Sequence, residues 1–271
     1  MNGFALYTRH SFYYRHRYGR VAWVISMAKS ILITGASSGL GEGMAREFAR
    51  RGYRVALTGR RIDRLEVLQK ELQAIATQVI VKVLDVTQYD SVQPTLEAIA
   101  DELGGLDIVV ANSGVGQFFP VGSDHFTDIC TTIDTNITGA VATIDAAVRI
   151  FQRQEAGHIV GISSVSAIRG LPGQGIYSAS KAAVSRYLES LRLEVFGSNI
   201  IVTELAPGFI DTDMNRGLAS RPFVIPLEKG ARILADKIES RINFSYVPAW
   251  PWALIARLIR FLPNKFLVER N

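Results

Sequence analysis

Tyr177 and Lys181 stand four residues apart in GIYSASKAAVSRY, Gly175 to Tyr187, with only Ser178, Ala179 and Ser180 between them. On a helix this spacing puts both side chains on one face. A free phenol titrates near about 10 and is neutral at pH 7. An ammonium beside it favours phenolate and lowers that pKa. The pair is then suited to exchange a proton with a carbonyl or alcohol oxygen. The small intervening residues keep the face open. Spacing alone equally describes a surface pair, so the context matters. Upstream, GHIVGISSVSAIRGLPGQGIY reads as a strand end, two serines and a Gly/Pro-rich loop. Ser164, thirteen residues before Tyr177, is placed to bond a substrate oxygen, with Ser163 and Ser166 as competitors for the role.

A second stretch is suited to hold an anion. TGASSGLG, Thr34 to Gly41, follows a β-branched run and opens a helical segment. Glycines let the backbone turn sharply and approach a pyrophosphate, and the helix N-terminus offers free N–H groups. The cofactor-facing set here is Gly35, Ser37, Ser38, Gly39, Leu40 and Gly41. The next strand ends ALTGRRIDRL with no carboxylate between Leu57 and Arg61. Arg60 and Arg61 stand where an acid would take a ribose 2′-hydroxyl, which favours NADP over NAD. Asp85 and Val86, in VLDV, lie at a strand end where the carboxylate either accepts from an adenine amino group or caps the following helix. Asn112 and Gly114, in ANSGVG, form a small turn beneath the cofactor or an ordinary strand-to-helix connection.

These segments need a scaffold that brings strand ends together. Short apolar runs at 30–34, 53–58, 78–84, 106–111, 158–162, 199–205 and 244–247 alternate with helical periods at 40–51, 61–75, 88–103, 124–153 (broken near Thr135), 175–197 and 227–240. Apolar strands without polar alternation, separated by helices, predict a parallel sheet covered on both faces. The fold class is α/β, a doubly wound Rossmann-type sheet of seven strands in one domain.

TGASSGLG, ISS and YSASK, in this order and spacing, resemble the short-chain dehydrogenase/reductase family over about residues 28–247. The resemblance implies an oxidoreductase that moves a hydride between nicotinamide and a carbonyl or secondary alcohol, with Tyr177 as general acid/base. It implies that Lys181 binds the nicotinamide ribose and lowers the Tyr177 pKa, that Ser164 orients the substrate oxygen, and that Asn136 holds a relay water. Taken alone, Asn136 reads as a helix-breaking or capping residue. The resemblance also assigns Pro207, Gly208, Ile210 and Thr212, within PGFIDT, to the nicotinamide end. One departure stands out: Ala111 replaces the first asparagine of the family's Asn-Asn-Ala-Gly. Because many contacts in that turn come from backbone, cofactor binding is expected to survive it. Two other readings of the fold, a dinucleotide sensor and a non-redox lyase or epimerase, are disfavoured by the intact Ser164–Tyr177–Lys181 set and by Arg60.

The chain has 271 residues, 48% hydrophobic, with a net charge of +5. Arg9, Arg15, Arg17 and Arg20 supply four of those charges and no acid lies among residues 1–26, so the body is nearly neutral and a nucleic-acid role gains no support. Cys130 stands alone, which rules out an intrachain disulfide and fits a reducing cytoplasm. No metal site is expected. Residues 1–27 form a basic, aromatic extension outside the core, read as lying upstream of a true start at Met27, with a targeting or disordered segment as alternatives. The domain spans 28–248. Residues 249–271 form an amphipathic tail in which Leu254, Ile255, Leu258, Ile259 and Leu262 make a continuous stripe between Pro251 and Pro263. That stripe is expected to pack on the core or on another subunit of a homodimer or homotetramer, with weak membrane-surface contact as the alternative. The 209–230 segment, with Phe209, Met214, Leu218, Phe223 and Ile225 beside Arg216 and Arg221, is expected to cover the substrate pocket, its apolar residues either meeting a partly apolar substrate or packing a lid.

Overall fold

The computed structural model describes residues 6–8, 11–13, 28–218 and 220–267. Leu6–Thr8 and Ser11–Tyr13 pair antiparallel with each other in a sheet separate from the main one. The expectations about a start at Met27 and a targeting role otherwise lie outside the described residues.

Seven strands form the main sheet: β1 Ser30–Thr34, β2 Arg54–Gly59, β3 Val79–Val83, β4 Ile108–Ala111, β5 Gly157–Ile162, β6 Ile200–Pro207 and β7 Phe244–Val247. Their order is β3-β2-β1-β4-β5-β6-β7 and every neighbouring pair is parallel. The order reverses between β1 and β4, which opens a crevice beyond their carboxyl ends. The helices are α1 Gly39–Arg50, α2 Ile62–Leu72, α3 Tyr89–Glu102, α4 Phe126–Ile133, α5 Gly139–Gln154, α6 Gly175–Glu194, α7 Asp213–Arg216, α8 Leu227–Glu239 and α9 Ala249–Ile259.

Alternation along each strand sends side chains to two cores. Leu32, Val109 and Ile159 face α3, α5 and α6 with Leu96, Phe151 and Leu188. Ile31, Ile33, Val110 and Val160 face α1, α2 and α8 with Phe48, Leu65 and Leu234. Both faces are dry, which is why the strands read as continuous apolar runs.

Two expectations are corrected. The break near Thr135 is not a break: α4 runs into α5 through a single π-helical turn, Asp134–Thr138. Asn136 inside it neither breaks nor caps the helix. The wider turn swings its amide sideways to Val115, a use typical of such bulges. The tail stripe is also split. Helical dihedrals begin at Pro251, because Trp250 is extended. Trp252 and Ala256 are buried and Ile255, Ile259 and Leu262 half-buried, whereas Leu254 and Leu258 point outward. A run of i, i+1, i+4, i+5 spans too wide an arc for one shallow contact to cover.

His158, on β5, is 4% exposed and its Nε2 lies 2.8 Å from Thr203 Oγ1. Burial, helped by Arg241 and Lys29, lowers its pKa from 6.5 to about 4. The neutral ring is therefore favoured in the fold, and the stability this represents is present above pH 6.5 and lost as pH falls toward 4. Chemical denaturation should show about 2 kcal/mol less stability at pH 5 than at pH 7.5 from this group, and the His158→Gln variant should lose that part of the difference.

Candidate active site

A cleft of about 400 Å³ lies over the carboxyl ends of β1, β2, β4, β5 and β6. At its floor the Thr34 hydroxyl accepts from the backbone N–H groups of Asn112 (3.0 Å) and Ser113 (3.1 Å) and donates to Val110 O (3.3 Å). Asn112 Nδ2 donates back to Thr34 O at 2.8 Å. The glycine loop and the β4 turn are thereby fixed against each other. Ala111, where the family has asparagine, is a 5% exposed strand residue, so the junction is made by Asn112 and does not miss a side chain there.

Gly35 (φ +67°) and Gly39 (φ +57°) take left-handed conformations that other residues adopt only with strain. A Cβ at Gly35 would lie 3.0 Å from Ser113 Cα. Ser38 at the start of α1 makes no side-chain capping bond, so the first-turn N–H groups face the cleft, with Leu40 lining it. This is the cradle a pyrophosphate needs. Gly41 is the exception in the expected set: it does not line the cleft. A Cβ there would overlap the Gly35 carbonyl, so Gly41 lets α1 seat against the turn.

The two arginines after β2 differ. Arg61 Nη2 donates to Ser37 Oγ (3.0 Å) and Ser38 Oγ (2.6 Å). Arg60 is 62% exposed, with its Nη1 4.0 Å from Asp85 Oδ2. Asp85 Oδ1 accepts from Thr87 N–H and hydroxyl in the turn before α3, whose N-cap is Gln88, so Asp85 does not cap that helix. Asp85 and Val86 both line the cleft.

At the other end α6 delivers Tyr177 and Lys181 beside the end of β5. Lys181 is buried, donates to Ile162 O at 3.0 Å and lies 5.9 Å from the Tyr177 ring centroid. Ser164 separates from its competitors by bonding. Ser163 Oγ turns away to donate to buried Glu204 (2.7 Å), and Ser166 Oγ donates to Gln174 (3.1 Å). Ser164 Oγ stays in the cleft beside Tyr177, held by Ser166 N–H and Pro207 O. Burial pushes the Tyr177 phenol above its ordinary value, and the Ser164 bond pulls it partway back. The expected net lowering by Lys181 is therefore reversed in direction. The cost of taking a nascent phenolate out of water sets that direction. Burial also lowers Lys181 to about 8.

Asn136 does not line the cleft. Its amide accepts from Val115 N–H (2.7 Å) and donates to Val115 O (2.9 Å) and Ser180 Oγ (3.1 Å). It lies one glycine from the lysine, since a Cβ at Gly114 would sit 3.3 Å from Asn136 Oδ1 and 3.4 Å from Lys181 Nζ. Pro207, Gly208, Ile210 and Thr212 line the cleft as expected. Of the 209–230 segment, Met214 reaches the cleft. Phe209 and Phe223 pack on Trp252 instead, and Arg216 and Arg221 pair with Asp211. Sequence reasoning missed Thr135, a cleft residue whose buried hydroxyl has no partner, and Phe118, whose ring lies 5.3 Å from that of Tyr177. Thr135 directly precedes Asn136, whose motif was the available signal, whereas Phe118 sits in none. It also missed Trp252. A Cβ at Gly208 would fall inside its indole, so the buried ring props the loop after β6. Arg169, on the loop between Ser164 and Tyr177, bonds Ile259 O (2.7 Å), Leu262 O and Asn264 Oδ1 and ties the far end of α9 to that loop.

The open α1 terminus, the positive-φ glycines and the unpartnered Thr135 hydroxyl fit a dinucleotide lying from Arg60 to Tyr177. The family model for short chain dehydrogenase matches residues 29–222. An uncharacterized oxidoreductase of Mycobacterium tuberculosis is 41% identical over 240 residues, 88% of this chain and 95% of that protein. Sulfoacetaldehyde reductase of Chromohalobacter salexigens is 35% identical over 190 residues, 69% of this chain and 74% of that one. Among solved structures, an alcohol dehydrogenase from Thermococcus sibiricus complexed with 5-hydroxy-NADP superposes with a TM-score of 0.75 at 28% identity, covering 81% of this chain and 96% of that one.

Thr34→Val keeps the shape but orphans two backbone N–H groups. It should cost about 2–4 kcal/mol in denaturant melts and weaken dinucleotide binding, while Thr34→Ser recovers most of both. Equal stability of the valine variant would show that the junction is held elsewhere.

Proposed function

This chain belongs to the short-chain dehydrogenase/reductase family, and from that premise we propose that it is an NADP(H)-dependent reductase of a partly apolar carbonyl compound. The observation that carries this reading is the convergence of Ser164, Tyr177 and Lys181 at one end of a cleft whose other end offers Arg60 beside the glycine loop. The similarity to proteins named as a reductase and an alcohol dehydrogenase supports carbonyl and alcohol chemistry. We place it in the cytoplasm as a homodimer or homotetramer.

When bound, the nicotinamide supplies or accepts the hydride at the substrate carbon. The chain does the rest. Ser164 Oγ and the Tyr177 hydroxyl hold the carbonyl oxygen between them, which polarises the bond. Tyr177 donates its proton to that oxygen. Its raised pKa keeps it protonated at neutral pH, which suits the reducing direction, and alcohol oxidation gains as pH rises. Lys181, with a pKa of about 8, is charged at neutral pH and stabilises the phenolate left behind. That charge is lost as pH climbs through 8. Asn136 fixes the Val115 backbone on both its N–H and its C=O and so positions the wall beside Lys181. Phe118 and Met214 give the substrate end its apolar character.

At the other end Arg61 is engaged with Ser37 and Ser38 and shapes the loop, which leaves the Arg60 fork for a 2′-phosphate. Gly35, Gly39 and the first turn of α1 hold the pyrophosphate.

Tyr177→Phe should keep NADPH binding while turnover of a carbonyl panel, followed at the nicotinamide absorbance, falls by about 10²–10⁴. Near-normal turnover would remove the phenol from the chemistry. Arg60→Asp should invert the NADPH/NADH ratio of kcat/KM, whereas Arg61→Ala should weaken both cofactors alike. An unchanged ratio in the Arg60 variant would place phosphate recognition elsewhere.

A further inference from the structure

Helix α9 carries apolar side chains on two sides. One side, Trp252 and Ala256, is buried against the domain. On the other side Trp250 is 73% exposed, Leu258 61% and Phe261 82%, with Leu254 at 46%. Leu254 and Leu258 recur at i and i+4 on one outward sector, and exposed Phe261 follows in the turn just past the helix. Arg257 and Arg260 occupy the neighbouring sector. Both are exposed and neither forms an ion pair with a described residue. They border a second cavity of about 700 Å³, walled by Phe244, Tyr246 and Phe261. The carboxylates there are already engaged: Glu189 pairs with Arg186, and Glu204 accepts from Ser163. Lys265 and Phe266 extend the same mixture just past the helix. No aspartate or glutamate occurs between residues 249 and 267.

We propose that this face of α9 rests on an anionic lipid surface. Trp250, Leu254, Leu258 and Phe261 enter the headgroup boundary, and Arg257, Arg260 and Lys265 meet lipid phosphates. A contiguous apolar patch with a basic flank and no acid is the pattern of a helix lying in the interface plane. No helix among the described residues is long and apolar enough to cross a membrane, so the contact is peripheral. A second copy of the chain fits the patch poorly. A two-fold contact would set the three cations against their own equivalents with no carboxylate in the segment to offset them. Phosphate headgroups complement both parts. None of these residues lines the catalytic cleft, and the second cavity they border meets it at Ser164; lipid contact itself does not rest on the redox reading.

The test is co-sedimentation of the full chain with vesicles of phosphatidylcholine alone and of phosphatidylcholine mixed with phosphatidylglycerol. Binding should favour the mixed vesicles and weaken at high salt. Arg257→Gln/Arg260→Gln should lower the partition coefficient about 30-fold, and Leu258→Ser/Phe261→Ser should remove most of the remainder, with thermal melting and NADPH titration unchanged in both. Absence of vesicle binding, or binding that ignores both salt and the arginine pair, would overturn the proposal. So would light scattering in which Leu258→Ser/Phe261→Ser breaks an oligomer while vesicle binding persists, because the patch would then be a contact between copies.

Discussion

The site depends on one side-chain oxygen at the centre of the sheet. Parallel strands end with backbone groups pointing into the crevice, and β1 and β4 diverge there because the chain order reverses between them. The Thr34 hydroxyl bridges that divergence, accepting from two N–H groups of the β4 turn while Asn112 returns a bond to the β1 carbonyl. The glycine loop can be thin and lack capping bonds of its own because its root is locked. Gly41 continues the same constraint into α1, where only a hydrogen lets the helix seat on Gly35. Anion binding is thus a by-product of close packing at a point where the sheet cannot pair with itself.

A different balance governs the reacting end. Lys181 is held in the interior by a bond to the last carbonyl of β5 and sits between α6 and the β4 turn. Taking an ammonium out of water makes its proton easier to lose, and taking a phenol out of water makes its proton harder to lose. Burial moves the two groups apart, lowering the amine to about 8 and raising the phenol, with the Ser164 hydroxyl offsetting part of the rise. Proximity alone, the only quantity a spacing of four residues conveys, misses this balance.

The architecture was legible in the sequence because the strands are apolar on both faces, and β1 and β7 fall where their runs were read. Glycine loop, serine, tyrosine and lysine were legible because they sit in short motifs whose neighbours announce strand or helix ends. What escaped the reading depends on distant partners. The choice among Ser163, Ser164 and Ser166 turns on Glu204 and Gln174, and the distinction between Arg60 and Arg61 turns on Ser37 and Ser38. Asn136 misled because a π turn leaves no mark in an apolar period. The apolar residues of 209–230 suit a substrate wall or a packed lid equally, and the choice for Phe209 and Phe223 turns on Trp252, a residue about thirty positions or more away in sequence.

That socket has a bearing on how the protein comes into being. Domains assemble from the N-terminal side as the chain leaves the ribosome, at roughly 5–20 residues per second. Strands β1 to β6, the glycine loop, Tyr177 and Lys181 are all made by residue 207. The loop that follows is propped only when Trp252 arrives beneath Gly208, and the Ser164–Tyr177 connection gains its tie only when Arg169 meets the carbonyls of Ile259 and Leu262. A nascent chain can therefore own every reacting group and still lack a finished pocket. Completion of the cleft walls waits on residues 252 to 264.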